Sequence, residues 1–119
     1  MIAAIISEFN PFHNGHAYLI ETVRRQSKPR AVICVMSGNF VQRGEAACAD
    51  KFSRAAMALR GGADLVIELP AYSAVNSASE FAFGALRTLG EFGLATDLFF
   101  GSETGDLDGL SEAAEHLLE

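Results

Sequence analysis

Two histidines with a glycine between them follow the first apolar run of the sequence. The segment Ser7–His16 reads SEFNPFHNGH, so that His13 and His16 are three residues apart and Gly15 precedes the second. If a helix begins there, its unpaired N–H groups and positive dipole end attract an anion, and glycine lets a phosphate approach the backbone. Imidazoles can donate hydrogen bonds to phosphoryl oxygens as charge develops. The pattern predicts a phosphate site with His13 and His16 as catalytic residues; the alternative is that both only cap the helix.

A second polar loop follows the second apolar run. It offers a hydroxyl at Ser37, an amide at Asn39 and a guanidinium at Arg43. A guanidinium binds planar anions through two parallel hydrogen bonds, so Arg43 could pair with a carboxylate close to the phosphate site. The alternative is an ordinary surface loop with a solvated arginine.

The helical segment after this loop opens with Lys51 and Arg54, three residues apart. Side chains at this spacing share one face of a helix, which predicts a cationic patch that could contact phosphate or RNA. The alternative is a solvated helix face on which these cations pair with Glu45 or Asp50.

Short apolar runs alternate with helical patterns along the chain. The runs predict four strands, continuously apolar as in a parallel sheet covered on both faces: Ile2–Ile6, Ala31–Met36, Leu65–Leu69 and Leu98–Phe100. Helices are predicted over 14–26, 50–60 and 79–92, with a fourth from about 107 that is still running at 118. The apolar spacing places inward Phe52, Ala55, Ala56 and Leu59 of the second helix, and Phe81, Ala85 and Leu89 of the third. The fold class is therefore α/β: a Rossmann-like, doubly wound parallel sheet in three α/β/α layers, with ligands bound at the carboxyl ends of the strands.

The composition is that of one globular domain. Half of the 119 residues are hydrophobic, and a formal net charge of −6 argues against this chain alone binding nucleic acid. Cys34 and Cys48 lie outside any metal-binding spacing and are expected to be reduced thiols in a cytoplasmic protein. The apolar run at Met1–Ile6 is too short to span a membrane, so no membrane partner is expected. The composition does not indicate an oligomeric state.

Four stretches of the chain carry a resemblance to a known family. His13-Asn14-Gly15-His16 is similar to the HxGH signature of the nucleotidyltransferase superfamily. Longer strings resemble the N-terminal part of the bacterial tRNA(Met) cytidine acetate ligase family: Glu8–His16, Met36–Glu45, Gly62–Pro70 and Phe100–Glu103. The resemblance implies that residues 1–119 are a nucleotidyltransferase-like ATP-binding domain of a longer protein. That protein would use ATP to activate acetate as acetyl-adenylate and transfer the acetyl group to the wobble cytidine of elongator tRNA(Met).

The resemblance also implies site residues and partners. The ATP-binding loop falls on about 6–19, with a later contact after the fourth strand, which gives Ile6, Ser7, Glu8, Phe9, Asn10, Pro11, Phe12, Asn14, Gly15 and Gly101. The chemistry of the second loop and of the start of the second helix, rather than the resemblance, makes Ser37, Asn39, Arg43 and Lys51 candidates to contact acetate or phosphate. Mg²⁺ would accompany ATP, held by phosphates rather than by a dedicated protein site. Elongator tRNA(Met) would bind through regions outside this chain.

Two departures from the family pattern bear on activity. Ala46 stands where the family usually has proline, and the basic motif that would close over the phosphates has no counterpart before Glu119. The isolated chain is therefore expected to bind ATP without completing the reaction. Two other functions remain open: an adenylyl- or cytidylyltransferase acting on a small phosphorylated metabolite, and a non-catalytic nucleotide-sensing domain.

Overall fold

Strands and helices alternate along the whole of the described chain. The structure, a computed structural model, describes residues 1–39, 44–70 and 78–100. The elements are β1 Ile2–Ile6, α1 Asn14–Ser27, β2 Ala31–Ser37, α2 Lys51–Arg60, β3 Leu65–Leu69, α3 Ala78–Phe92 and β4 Asp97–Phe99. The four predicted strands and the first three predicted helices are confirmed with bounds that differ by at most one residue. The predicted fourth helix lies outside the described residues.

The strands form one parallel sheet in the order β3-β2-β1-β4. β1 pairs with β2 from Ile2 opposite Ala31, and with β4 from Ala3 opposite Asp97. The chain therefore winds outward from β1 through β2 to β3 and then returns to the other side of β1. The strand order reverses between β1 and β4, which is where doubly wound sheets bind their ligands.

The sheet carries a packed layer on each face. On one face, Ile20 and Val23 of α1 and Ala58 of α2 are buried in the cluster that contains Cys34. On the other, Phe81, Ala85 and Leu89 of α3 pack with Ile33 and Val35 of β2. The predicted inward face of the third helix and the three-layer α/β/α architecture are confirmed.

The predicted inward face of the second helix is wrong for Phe52 and Leu59, whereas the predicted Ala55 does pack against the core cluster. Phe52 is 76% exposed and Leu59 46% exposed, while Ala55 and Ala56 are only partly buried. The helix instead buries Arg54 and Ala58, four residues apart on one face. The physical reason is that the loops beside α2 offer backbone carbonyls to Arg54, so that the guanidinium is buried with its hydrogen bonds made.

Polar side chains tie the elements together at the amino ends of the strands. Arg24 of α1 donates to the carbonyl of Gly62 and lies 2.7 Å from Asp64 Oδ2, which accepts the Val32 N–H at 2.8 Å. This backbone hydrogen bond is the largest cause that lowers the pKa of Asp64. At β4, Thr96 Oγ1 accepts the N–H of Ile2 at 3.1 Å. These contacts fix the end of the sheet that lies away from the predicted site.

The two cysteines do not bond to each other. Cys34 is a free thiol buried in β2, where burial raises its pKa to about 12, and Cys48 is a free thiol on the surface. None of the helices in the described ranges combines the length and the apolar character that crossing a membrane requires.

Candidate active site

The histidine pair lies at the start of α1, directly after the loop that follows β1. His13 is the N-cap, and its Nδ1 accepts the N–H of Gly15 at 3.0 Å. In return, His16 Nδ1 accepts the N–H of His13 at 3.1 Å. This is the reciprocal geometry of a capping box, with histidine at both positions. Both histidines therefore cap the helix. Capping does not decide whether they only cap, because it occupies one nitrogen of each ring and leaves the other for a catalytic role.

The capping bonds define which nitrogen of each ring carries a proton. Because Nδ1 accepts in both rings, the neutral tautomers carry their hydrogens on Nε2. The Nε2 of His16 lies 3.2 Å from Ser7 Oγ, to which it can donate. Burial, and then the nearby His13, lower the pKa of His16. At neutral pH, His16 is thus an uncharged donor that presents one N–H towards the end of β1.

Stacked aromatic rings hold the imidazoles in place. The rings of His13 and His16 stack with centroids 3.8 Å apart, and Phe9 meets His16 edge-on at 4.8 Å. Phe9 is only 1% exposed, and its φ of 49° places it in the left-handed region. A Cβ at Gly15 would lie 2.9 Å from Cε1 of His13, so a side chain there would displace the ring. Glycine at position 15 therefore leaves room for the His13 ring.

A cavity of about 350 Å³ opens between the carboxyl ends of β1 and β4. The predicted residues that line it are Ile6, Ser7, Phe9, His13, Gly15 and His16, and the other lining residues are Ile5, Leu19 and Phe100. The cavity thus lies at the reversal of strand order, with imidazoles on one side and apolar side chains around the rest. An apolar cavity with a few convergent polar groups is typical of a small-molecule site.

The remaining predicted residues of this loop shape it without lining the cavity. Asn10 Oδ1 accepts the Cys48 N–H at 2.7 Å, and the peptide bond from Asn10 to Pro11 is cis. Phe12 packs closely over Gly61, where a Cβ would lie 2.5 Å from the ring. Asn14 is the exposed first residue of α1. The predicted Glu8 contributes its backbone carbonyl, which accepts from Arg54, and the predicted Gly101 lies outside the described residues.

The described residues predicted in the second loop, Ser37 and Asn39, do not line this cavity. Ser37 is fully buried at the end of β2, and its hydroxyl finds no hydrogen-bond partner within the described ranges. Asn39 is exposed, and its carbonyl accepts the Ala47 N–H at 2.8 Å. Lys51 forms an ion pair with Glu68 of β3 at 3.0 Å. The predicted Arg43 is outside the part of the chain that the structure describes.

The predicted cationic patch at the start of α2 is wrong. Arg54 is 0% exposed and cannot share a solvent-facing patch with Lys51. Its Nη1 donates to the carbonyl of Glu8 at 2.8 Å, its Nη2 donates to the carbonyl of Gly38, and its Nε donates to the carbonyl of Ala49 at 3.0 Å. The alternative, in which Lys51 pairs with Glu45 or Asp50, is wrong as well. The ammonium of Lys51 forms its ion pair with Glu68.

A sequence model of the family described as HIGH Nucleotidyl Transferase matches residues 1–119. The chain belongs to this family. The paired histidines at the α1 N-terminus and the cavity at the reversal of strand order are therefore features of a HIGH nucleotidyl transferase.

Relatives and a solved structure share this fold over nearly the whole chain. The tRNA(Met) cytidine acetate ligase of Thermoanaerobacter sp. (strain X514) is 52% identical over 118 residues, which are 99% of this chain and 29% of that protein. The ligase of Syntrophomonas wolfei is 54% identical over 113 residues, 95% of this chain and 27% of that protein. The crystal structure of Thermotoga maritima TmcAL bound with alpha-thio ATP superposes with a TM-score of 0.88 at 49% identity, covering 98% of this chain and 28% of that one. The chain thus spans under a third of the length of these relatives.

Sequence reasoning missed part of this HIGH nucleotidyl transferase site. Ile5 and Phe100 line the cavity, and Arg54 joins its loop to the next one. Leu19, which also lines it, is the last residue of the predicted 6–19 loop. The position of Phe100 just after β4 is a usable signal, since residues there border the strand ends. Among the described residues, no group of three or more His, Cys, Asp or Glu side chains is placed to hold a metal ion.

Proposed function

We propose that this chain is the ATP-binding domain of a tRNA(Met) cytidine acetate ligase. Such an enzyme activates acetate as acetyl-adenylate and transfers the acetyl group to the wobble cytidine of elongator tRNA(Met). The observation that carries the proposal is the histidine pair at the mouth of the cavity between β1 and β4. Support comes from the ligase relatives and from TmcAL, a 49% identical protein that was crystallised with an ATP analogue.

The proposed ATP site uses the α1 N-terminus and the cavity beside it. The triphosphate lies against the start of α1, where backbone N–H groups, the dipole and the two Nε2–H groups favour negative charge. The nucleoside lies across the ends of β1 and β4, bordered by Ile6, Phe100 and Gly101. A phosphoryl oxygen at this position competes with Ser7 Oγ for the Nε2–H of His16, which lies 3.2 Å from that hydroxyl.

The proposed reaction is an in-line displacement at the α-phosphorus. An acetate oxygen forms a bond to that phosphorus while the bond to the pyrophosphate oxygen breaks, and pyrophosphate leaves. His13 and His16 stabilise the charge that develops on the phosphoryl oxygens, and the fixed loop holds the reactants in line. The protein forms no covalent intermediate in this scheme.

Acetate is proposed to bind beside the second loop, at Ser37, Asn39 and Arg43. Asn39 supports this most directly, because it is exposed just after β2, whereas the Ser37 hydroxyl is fully buried and would have to become accessible before it could donate to a carboxylate. Lys51 supports it least, since its ammonium already pairs with Glu68.

Magnesium and tRNA belong to the same proposal. Since the described residues that line the cavity include no carboxylate, Mg²⁺ would be held by the phosphates of ATP and would offset their charge. The acidic charge of the chain favours tRNA binding by regions beyond residues 1–119. Residues 1–119 would thus form the nucleotidyltransferase-like domain of a larger enzyme in the cytoplasm.

Acetate-dependent exchange of pyrophosphate into ATP, measured on the full-length protein, tests the proposal. We expect exchange that requires acetate and that is lost in His16→Ala. Exchange that instead requires a phosphorylated metabolite would identify an adenylyl- or cytidylyltransferase. ATP binding by calorimetry without any exchange would identify a nucleotide sensor.

A further inference from the structure

Arg54 is a fully buried arginine that joins loops of different strands. Its side chain is 0% exposed, and its Nη1 donates to the carbonyl of Glu8 in the loop after β1 at 2.8 Å. Its Nη2 donates to the carbonyl of Gly38 in the loop after β2, and its Nε to the carbonyl of Ala49 just before α2 at 3.0 Å. One side chain therefore connects the two loops in which ATP and acetate are proposed to bind.

The guanidinium is suited to hold these loops at a fixed separation. It is planar, and its donors form a rigid fork, whereas the ammonium of lysine is a single point on a flexible stem. A buried charge is tolerated only when its hydrogen bonds are made, so moving either loop would leave donors of Arg54 unpaired. The geometry thus opposes independent movement of the two loops.

The contacts of Arg54 also lead to the histidine pair. The carbonyl of Phe9 lies 3.5 Å from Arg54 Nη1, and the ring of Phe9 packs edge-on against His16 at 4.8 Å. Ser7, which accepts from His16, is next to Glu8 in the chain. The backbone that Arg54 holds is therefore the backbone that sets the position of His16.

We propose that Arg54 is a positioning residue that couples the loop after β1 to the loop after β2, so that the bound triphosphate and the carboxylate substrate are aligned. The inference rests on the proposed function for its substrates, while the coupling of the loops stands on the contacts above. Arg54 touches neither substrate in this scheme and acts through the backbone of Glu8 and Gly38.

Arg24 provides a matched control at the other end of the sheet. It also donates to a backbone carbonyl, that of Gly62, and it pairs with Asp64 at 2.7 Å. Loss of its contacts should therefore cost stability without moving either substrate loop.

The kinetic test compares Arg54→Lys with Arg24→Lys in the full-length protein, using acetate-dependent exchange of pyrophosphate into ATP. Both variants should melt at a lower temperature. Only Arg54→Lys should lose kcat/KM for ATP and for acetate, by roughly tenfold to a hundredfold, as expected for misaligned reactants. Equal kcat/KM in both variants, measured well below their melting temperatures, would overturn the inference. If the wild type shows no acetate-dependent exchange, it is the proposed function that fails.

Amide hydrogen exchange tests whether Arg54 couples the two loops, independently of the reaction. In Arg54→Lys without ligand, amides at 8–10 and at 38–39 should lose protection together, whereas Arg24→Lys should affect amides at 61–64. If Arg54→Lys does not fold, the wild type provides the measurement: ATP should protect both loops together. Protection that changes in one loop alone, in either experiment, would show that Arg54 does not couple them.

Discussion

Each histidine of the pair uses one nitrogen for structure and keeps the other for chemistry. The Nδ1 atoms of His13 and His16 accept backbone N–H groups at 3.0 and 3.1 Å, and these bonds define the start of α1. The same bonds place the donor hydrogens on Nε2, on rings that line the cavity. Capping and the proposed catalytic role are therefore compatible at these residues, and the capping bonds orient the donors that this role needs.

Replacing His16 separates its two roles. His16→Ala removes a cap and a donor, so the free energy of unfolding should fall by about 1 kcal/mol and kcat by about 10²–10³-fold, with a smaller effect on ATP affinity. His16→Gln, whose amide oxygen suits this position of a capping box, should recover the stability but not the rate. Thermal melts and exchange kinetics on the full-length protein measure both. Wild-type kcat in His16→Ala would remove His16 from the catalytic residues.

The stability of the protein should depend on pH through His16. Burial and His13 lower the folded-state pKa of His16 from its usual 6.5, so protonation opposes folding. The stability that uncharged His16 contributes is therefore fully present above about pH 6.5, and it is lost as the pH falls from there through the folded-state pKa. From about pH 8 to about pH 5, the melting temperature of the wild type should therefore fall by more than that of His16→Gln. Asp50 and Asp64, whose pKa values are also lowered, are common to both proteins and cancel. A difference that does not vary with pH would contradict this reasoning.

At the scale of the elements, the start of α1 needs Gly15 because the ring of His13 lies directly against it. A Cβ at Gly15 would lie 2.9 Å from the His13 ring, so Gly15→Ala should displace that ring and weaken ATP binding by roughly tenfold. The control is Gly90→Ala in α3, where a Cβ meets nothing within 4 Å. Alanine there should stabilise the helix by about 0.5–1 kcal/mol without altering ATP affinity. Calorimetry and thermal melts measure the pair, and equal ATP affinity in both variants would show that the His13 ring position does not matter.

The elements themselves could be predicted from the sequence, but the buried face of α2 could not. Continuous apolar runs such as Ile2–Ile6 indicate strands covered on both faces of a sheet. All four strands begin and end within one residue of their predicted bounds. In α2, apolar spacing pointed to Phe52 and Leu59, yet hydrogen bonding decided the outcome because Arg54 meets carbonyls of distant loops. Contacts between residues 46 positions apart in the chain, such as Arg54 with Glu8, leave no local periodicity to read.

For the candidate site, the sequence predicted where the histidine pair lies better than it predicted which side chains surround the pair. The HNGH string placed the histidine pair at the start of α1, and six of the predicted residues line the cavity. Lys51 was expected to meet a ligand but pairs with Glu68, which lies on a strand two positions away from β1 in the sheet. Which side chains share a strand edge depends on the strand order, and only the folded sheet defines it.

At the scale of the whole molecule, the α3 layer packs on the face of the sheet opposite to α1 and meets the cavity lining at Ile6. Leu89 of α3 is 7% exposed and packs on the face opposite to α1. Leu89→Ala should lower the free energy of unfolding by about 2–5 kcal/mol, because it leaves a cavity in that layer. The ATP affinity of the folded molecules should stay unchanged. Denaturant unfolding and calorimetry on the same preparation test both statements, and a large loss of affinity would show that the two faces are coupled through the sheet.

The contacts of Arg24, Asp64 and Thr96 all lie at the amino ends of the strands, whereas the histidine cavity opens at the carboxyl ends. Contacts at the amino-end rim contribute to stability at a distance from the histidine pair. Substitutions that raise heat tolerance can therefore be sought at a rim that lies away from the proposed substrate site.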